Sequence, residues 1–179
     1  MDSVETEQPI TPSDGSDWDA PVAELLEDWR QRVYAAQSAH YSSADRFRVL
    51  NYLVGVPAII FSSIVGTAIF AGLQRDTPQT FLVASISIIA AVLTGLQTFL
   101  RFPERASQHA TAADWYSAIR RDVEETLHLP VANRGNAKEC LDRIRKEMNR
   151  VTQDAPELDV RIWQREAKRF GVKEAHDRP

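Results

Sequence analysis

The sequence predicts an all-α protein in which a two-span transmembrane helical hairpin continues into a cytoplasmic helical bundle. Three observations predict this class. Two apolar runs without a charged residue, 50–73 and 81–100, flank a polar loop of seven residues, Gln74–Thr80. The rest of the chain carries apolar residues at helical spacing, and no segment alternates as a half-buried strand does.

Each apolar run is long enough to cross a bilayer. At about 1.5 Å per residue the two helices would span roughly 36 and 30 Å, against a hydrocarbon core of about 30 Å. The runs contain twelve and eleven Leu, Ile, Val or Phe residues, which favour insertion by about 3–7 kcal/mol per run. Neither has the charged stripe of a long soluble helix. We therefore expect two spans, joined by the short loop as an antiparallel hairpin.

The arginines predict the orientation of this hairpin. The twenty residues before the first run hold four arginines and the twenty after the second hold three, whereas the loop holds only Arg75. Basic residues concentrate on the cytoplasmic side of membrane proteins. The expected location is the cell (inner) membrane, as a multi-pass protein with both termini in the cytoplasm.

Within each run the small and weakly polar residues share one helical face. On the first run this face consists of Asn51, Gly55, Ala58, Ser62 and Gly66, and on the second of Ser87, Ala91, Thr94, Gly95 and Thr98. Small residues spaced four apart let helix backbones approach closely in a bilayer. The commoner interpretation is therefore that both faces pack helix against helix.

The alternative interpretation is a pore assembled from several hairpins, because two spans cannot enclose a channel. Uncharged hydroxyls and an amide can border water without placing a charge in the membrane. The side chains of this kind on the second run are Ser87, Thr94, Gln97 and Thr98. Both interpretations remain open from the sequence.

Outside the apolar runs the chain divides into tails and amphipathic segments. Residues 1–20 carry six acidic residues and no Lys or Arg, so we expect a disordered acidic tail. Asp19 and Pro21 fit the N-cap and first turn of a helix. Helical spacing predicts cytoplasmic helices over about 22–48, 103–129, 136–153 and 157–170. With the spans these form one domain, 21–170, followed by a C-terminal tail, 171–179.

Composition and motifs exclude several function classes. The net charge is only -4, with no Lys/Arg block to indicate a nucleic-acid surface. Cys140 is the only cysteine, which excludes an intrachain disulfide and a cysteine-cluster zinc site, and we expect it on an exposed helix face. The motifs G-x-S-x-G and H-E-x-x-H and a Gly-rich phosphate loop do not occur. The sequence therefore predicts no enzyme, no cofactor and no metal.

Two histidines flank the apolar runs at similar distances. His40 lies ten residues before the first run and His109 nine residues after the second. If both helices continue straight, the imidazoles lie at similar depth, roughly 14 Å from the spans. Such a sub-membrane pair could report pH or, with further ligands, hold a metal. The commoner situation, which we favour, is a packing histidine with a backbone partner.

Five segments, in order along about residues 22–170, carry a family resemblance. They are Arg32–His40, Asn51–Thr67 (N-Y-L-V-G-V-P-A-I-I-F-S-S-I-V-G-T), Ile88–Phe99 (I-I-A-A-V-L-T-G-L-Q-T-F), Arg105–Tyr116 (R-A-S-Q-H-A-T-A-A-D-W-Y) and Asp154–Pro156. In these segments the chain resembles the SLATT family, two-transmembrane effector domains associated with SMODS nucleotidyltransferases and SLOG nucleotide sensors in prokaryotic conflict systems.

The resemblance implies an oligomeric, pore-forming membrane effector of a nucleotide-signalled anti-phage or conflict system, without catalytic residues. We expect no fused nucleotidyltransferase or sensor, and therefore a trigger that is a separate partner of this kind or that binds the helical part. The expected partners are thus the lipid bilayer, further copies of the chain and a nucleotide-sensing or nucleotidyltransferase protein. The alternative is a non-conducting membrane anchor or scaffold for a cytoplasmic partner.

Overall fold

The computed structural model describes residues 17–70 and 78–172, and its regular elements are helical. The helices are α1 (Ala20–Phe70), α2 (Pro78–Leu100), α3 (Phe102–His128), α4 (Ala137–Asp154) and α5 (Val160–Arg169), with a 3₁₀ turn at Val131–Asn133. No strand occurs within the described ranges. The all-α class predicted from the sequence is confirmed.

Several predicted segments lie outside the described residues. These are the acidic tail as far as residue 16, positions 71–73 of the first run, loop positions 74–77 and positions 173–179 of the C-terminal tail. The remaining helix bounds fall within three residues of those expected from the periodicity.

A single helix, α1, contains both the first amphipathic segment and the described part of the first apolar run. It begins where the capping pattern predicts, because Asp19 Oδ1 accepts a hydrogen bond from the Val22 amide at 3.3 Å. Pro57 lies inside the helix without ending it. The helix therefore links the charged segment before residue 50 directly to the apolar segment after it.

The start of α2 corrects the predicted loop. Pro78, Gln79 and Thr80 were expected in the loop, but they form the first turn of α2. Proline suits that place because its fixed φ matches the helix and its missing N–H has no intrahelical partner there. The second helix therefore begins three residues earlier than the polar composition indicates.

Arg101 alone separates α2 from α3. Its φ of 49° and ψ of 42° place it in the left-handed region, where it is the only non-glycine residue with positive φ in the described ranges. Such a residue ends a helix as a C-terminal αL residue does, and Pro103 follows in the first turn of α3. The helical hydrogen bonding is thus interrupted at one residue between an apolar and an amphipathic segment.

The largest buried cluster joins α1, α3, α4 and α5, and we call it the four-helix core. Its fully buried large side chains include Leu26 on α1, Tyr116 on α3, Ile144 on α4 and Trp163 on α5. Cys140 also belongs to it, with 7% exposure, so the expectation of an exposed thiol is wrong. Cys140 lies four residues before Ile144 and hence on the same helical face.

The last residues of the predicted tail contact the same region. Trp18 Nε1 donates a hydrogen bond to the Gly135 carbonyl at 2.8 Å, and the Arg134 guanidinium lies 5.3 Å from the Trp18 ring centroid. Trp18 therefore has a defined place, although the acidic composition around it predicted disorder.

The contact between α1 and α2 follows a repeat of three and four residues, and we call it the α1–α2 seam. The half-buried or buried residues of α2 at this spacing are Val83, Ile86, Ala90, Leu93, Gln97 and Leu100. Those of α1 are Asn51, Val54, Ala58, Phe61, Val65 and Ala68. Gln97 Nε2 donates to Asn51 Oδ1 at 3.3 Å across the seam. This seven-residue period is the packing pattern of helices that wrap closely around each other.

The outward faces of the same two segments are apolar. The large side chains exposed there include Tyr52, Leu53, Ile59, Phe81, Ile88 and Phe99. In the most apolar 18-residue windows of the two helical stretches, only 11% and 6% of the residues are buried. The molecule thus has two helices that are long and apolar enough to cross a membrane.

Candidate functional site

The two histidines singled out from the sequence lie in direct contact. His40 on α1 and His109 on α3 have their Nδ1 atoms 3.1 Å apart, and their exposures are 1% and 5%. For a hydrogen bond at this distance, one Nδ1 carries the hydrogen and the other accepts it. The neutral pair therefore requires opposite tautomers, with the accepting ring protonated on Nε2.

Aromatic rings cover both imidazoles. Tyr116 stacks on His40, with ring centroids 5.5 Å apart and planes at 22°, and Phe47 stacks on His109 at 5.5 Å and 21°. The Tyr116 hydroxyl reaches Thr152 Oγ1 on α4 at 3.2 Å. This arrangement holds the rings in place and separates them from bulk water.

Burial favours the neutral form of both imidazoles. Desolvation, with a smaller contribution from His109, lowers the pKa of His40 to about 3, and desolvation also lowers the pKa of His109. With centroids 5.3 Å apart, two cationic rings would repel each other by on the order of 3 kcal/mol at an effective dielectric constant of about 20. The two imidazoles in contact therefore strongly disfavour protonation of both rings.

A half-open cavity of about 210 Å³ reaches His40 of the pair. Its walls are formed by His40, Tyr116, Thr152, Ala155, Pro156, Glu157 and Leu158. The cavity is polar at its histidine, hydroxyl and carboxylate groups and has room for several water molecules. His40 is thus buried by side chains yet borders a route to solvent.

The pair lacks the further ligands that a metal site needs. No group of three or more His, Cys, Asp or Glu side chains converges within residues 17–70 and 78–172. The partner of each imidazole is the other imidazole, rather than the backbone partner that we favoured from the sequence. The geometry supports proton chemistry rather than metal coordination.

The small-residue face of the first run is divided by the structure. Asn51, Gly55 and Ala58 lie in the α1–α2 seam, where a Cβ atom built on Gly55 would be 2.8 Å from Gln97 Nε2. Ser62 is exposed, and no atom lies within 4 Å of a Cβ built on Gly66. Only the N-terminal half of this predicted face thus packs against α2.

The small-residue face of the second run lies mostly outside the seam. Ala91, Thr94, Gly95 and Thr98 are exposed, and Ser87 is half-buried. At 100° per residue this face lies roughly 120° from the seam and a similar angle from the bulky apolar face. Gln97, in contrast, belongs to the seam. The face predicted to pack against a helix is therefore not the one that contacts α1.

The hydroxyl groups on this face are hydrogen-bonded within α2. Ser87 and Thr94 donate to carbonyl oxygens four residues earlier, both at 2.9 Å, and Thr98 does so at 3.0 Å. The hydrogen of each hydroxyl is thereby hydrogen-bonded without water, and the oxygen keeps lone pairs that can accept further hydrogen bonds. The face suits either a helix partner or a water-lined surface.

A buried carboxylate on α5 was missed from the sequence. Glu166 is 3% exposed and accepts hydrogen bonds from Ser38 Oγ and Arg165 Nε, both at 2.9 Å. Burial raises the pKa of Glu166, but these hydrogen bonds and the charges of Arg165 and Arg169 outweigh it and leave the pKa below its ordinary value. Its spacing from Ile162 and Trp163 on the apolar face of α5 was the available signal.

Comparison of the chain with protein-family models, with curated proteins and with solved structures finds no match. The function is therefore argued from the geometry and chemistry of these sites.

Proposed function

We propose that the chain is a two-span membrane protein that assembles into a pore. In this proposal α2 and the apolar part of α1 form a transmembrane hairpin, and the four-helix core forms a cytoplasmic bundle below it, with both termini in the cytoplasm. The pore-forming oligomer permeabilises the inner membrane when it is activated.

The membrane location is supported by where the large apolar side chains point. Tyr52, Ile59, Phe81 and Phe99 are 68%, 69%, 77% and 82% exposed. In water, leaving one such side chain exposed rather than buried forgoes about 1.5–3 kcal/mol, and a contiguous surface of this kind is typical of a lipid or protein contact. Lipid tails can contact the exposed apolar side chains on all sides of the two apolar helices at once.

Assembly is supported by the free face of α2, the single observation that favours a pore over a monomer. Ala91, Thr94, Gly95 and Thr98 are exposed beside a completed α1–α2 seam. No atom lies within 4 Å of a Cβ built on Gly95, so a second helix can approach there. In an oligomer this face meets either another copy or the pore water, because the bulky face remains for lipid.

The trigger and the biological setting rest on the family resemblance. The five segments occur in the order that resembles the SLATT family. This resemblance favours an effector in a prokaryotic nucleotide-signalled anti-phage or conflict system, which a separate sensor or nucleotidyltransferase activates. No step of this proposal needs a catalytic residue.

A non-conducting anchor or scaffold is the second candidate, and one observation favours it. The hydroxyls of Ser87, Thr94 and Thr98 are satisfied by their own helix, so they are stable against lipid without a pore. In that case the hairpin only holds the cytoplasmic bundle at the membrane.

Ion flux from liposomes containing the full chain separates the two candidates. A pore releases an encapsulated ion or dye, and Ser87→Leu or Thr94→Leu blocks the release because leucine fills the free face. Ser85→Leu is the matched control, since Ser85 is exposed on the bulky face of α2. Two results would contradict the pore. One is that no ion or dye leaves liposomes, or cells in which activation is proven. The other is that Ser85→Leu and Ser87→Leu have equal effects.

A further inference from the structure

The contact between α1 and α3 includes a hydrogen bond that protonation of both partners removes. His40 and His109 meet through their Nδ1 atoms at 3.1 Å, within layers of aromatic rings and next to a cavity. We propose that this pair is a proton-binding site that opens the α1–α3 contact when the cytoplasm acidifies. The step from opening to conductance rests on the proposed pore function, whereas the proton-driven opening does not.

The proton count of the pair determines its response. The neutral pair holds two hydrogens, one between the Nδ1 atoms and one on the Nε2 of the accepting ring. A third proton can occupy the Nε2 of the donating ring while the contact persists. A fourth would place a hydrogen on both facing Nδ1 atoms, and at 3.1 Å two N–H groups cannot point at each other. Full protonation therefore requires the two rings to move apart, which loosens the α1–α3 contact at this position.

Other ionisable groups border the pair from each neighbouring element. Tyr116 of α3 stacks on His40, Glu157 of the α4–α5 connection lines the same cavity as His40, and the Arg105 guanidinium of α3 lies 5.9 Å from the Phe47 ring that covers His109. Carboxyl, phenol and guanidinium groups ordinarily titrate near 4, 10 and above 12. Between pH 7.5 and 5.5 the histidines are thus the groups here whose ordinary pKa falls in range.

The size of the response follows from linkage. Once the contact opens and water solvates the rings, each histidine titrates near its ordinary pKa of about 6.5, whereas the closed contact resists protonation. Acidification from pH 7.5 to 5.5 then raises the open-to-closed ratio about tenfold per histidine, or about 100-fold for the pair. Because α3 joins α2 through Arg101 alone, movement of α3 is transmitted directly to the second span.

Thiol labelling measures this opening in the full chain, reconstituted in lipid nanodiscs. Ser43 lies one turn beyond His40 on α1, is 3% exposed and can be replaced by cysteine with little change in size. We expect the labelling rate of Ser43→Cys by dithiodipyridine, corrected with the exposed position Ser107→Cys, to rise about 100-fold from pH 7.5 to 5.5. Native Cys140, buried between α3 and α4, reports unfolding of the core instead.

Glutamine variants test whether the pair carries the response. His40→Gln or His109→Gln should leave about a tenfold rise and the double variant less than threefold, because glutamine does not titrate but still forms a hydrogen bond. His128→Gln, at an exposed histidine at the end of α3, should respond as wild type. A wild-type rise below threefold, an unchanged rise in the double variant, or a parallel rise at Cys140 would overturn the proposal.

Ion flux at both pH values separates this inference from the pore. Labelling that rises while liposomes never leak would leave the proton switch intact and contradict the pore. Leakage that is equal at pH 7.5 and 5.5, with flat labelling, would keep the pore and contradict the switch.

Discussion

The four-helix core and the α1–α2 seam are built with opposite arrangements of large and small side chains. In the core the large residues are inside, since Trp163 and Ile144 are 2% and 0% exposed. In the seam the fully buried residues are the small Gly55, Ala58 and Ala90, whereas large side chains there are only half-buried and others, such as Phe99, lie outside it and are exposed. Burial of apolar surface stabilises the core, whereas close backbone approach holds the seam together. The difference teaches that the two regions are stabilised in different ways, as the proposed membrane location of the apolar helices requires.

The comparison is tested most strongly by the same substitution, isoleucine to alanine, made once in each region. Ile144→Ala in the core should lower the free energy of unfolding by about 2–5 kcal/mol, because it leaves a cavity among buried side chains. Ile59→Ala, at a side chain 69% exposed, should change it by less than about 0.5 kcal/mol. All four tryptophans lie outside the two apolar runs, so their fluorescence in detergent follows urea unfolding of the core. Similar losses in both variants would contradict the comparison.

The second prediction enlarges a small residue instead. Ala58→Leu should destabilise the chain by about 1–3 kcal/mol, because Ala58 is 4% exposed in the seam and leucine overpacks it. Ala91→Leu, on the exposed face of the facing helix, should leave the isolated chain unchanged while weakening any oligomer. Thermal unfolding in detergent and native mass measure the two effects. An Ala58→Leu chain as stable as Ala91→Leu would show that the seam is not closely packed.

The third prediction uses pH to test a polar contact of the core. The unfolded chain protonates His40 near pH 6.5, whereas the folded chain does so only at a pKa of about 3. The unfolded state therefore binds more protons between these values. The contribution of His40 to stability is therefore complete well above pH 6.5 and falls by about 1.4 kcal/mol per pH unit below it.

Urea unfolding at pH 7.5, 6.5 and 5.5 measures this slope above the range in which most carboxylates titrate. His40→Gln should remove the part of this slope that His40 contributes and leave the part from His109, whose pKa burial also lowers, whereas His128→Gln should leave the slope unchanged. An equal slope in His40→Gln would show that another group carries the acid sensitivity.

The smallest effect concerns the joint between the two regions. Arg101 has a φ of 49°, which costs a residue with a Cβ roughly 1–2 kcal/mol and glycine much less. Arg101→Gly should therefore be about 1 kcal/mol more stable than Arg101→Ala in thermal unfolding, since both variants lack the side chain. Equal stability would indicate that the joint leaves the left-handed conformation easily.

Much of the fold is encoded locally and can be predicted from the sequence. Apolar length and the missing charges indicate the two long helices, and Asp19 with Pro21 indicates the start of α1. The boundary near Arg101 follows from the end of the apolar run at residue 100, but its left-handed backbone could not be predicted, because arginine has no preference for positive φ. Cys140 was assigned to the wrong face because its charged neighbours outweighed its spacing from Ile144.

The sites were only partly predictable for a related reason. The similar distances of His40 and His109 from the apolar runs predicted a similar depth, but their contact depends on how α1 and α3 face each other. On α2, leucines in the seam and leucines on the outer face are equally apolar, so periodicity alone selected the small residues as the packing face. Contacts with α1 place Gln97 and Ala90 there instead.

Cysteine accessibility in membranes tests the central claim, that the two apolar helices span a bilayer, most directly. In a Cys140→Ala background, a membrane-impermeant maleimide should label Asp76→Cys in intact spheroplasts and Ser107→Cys only after lysis, and the chain should stay with carbonate-washed membranes. Release of the chain by carbonate, or labelling of both cysteines only after lysis, would contradict the account.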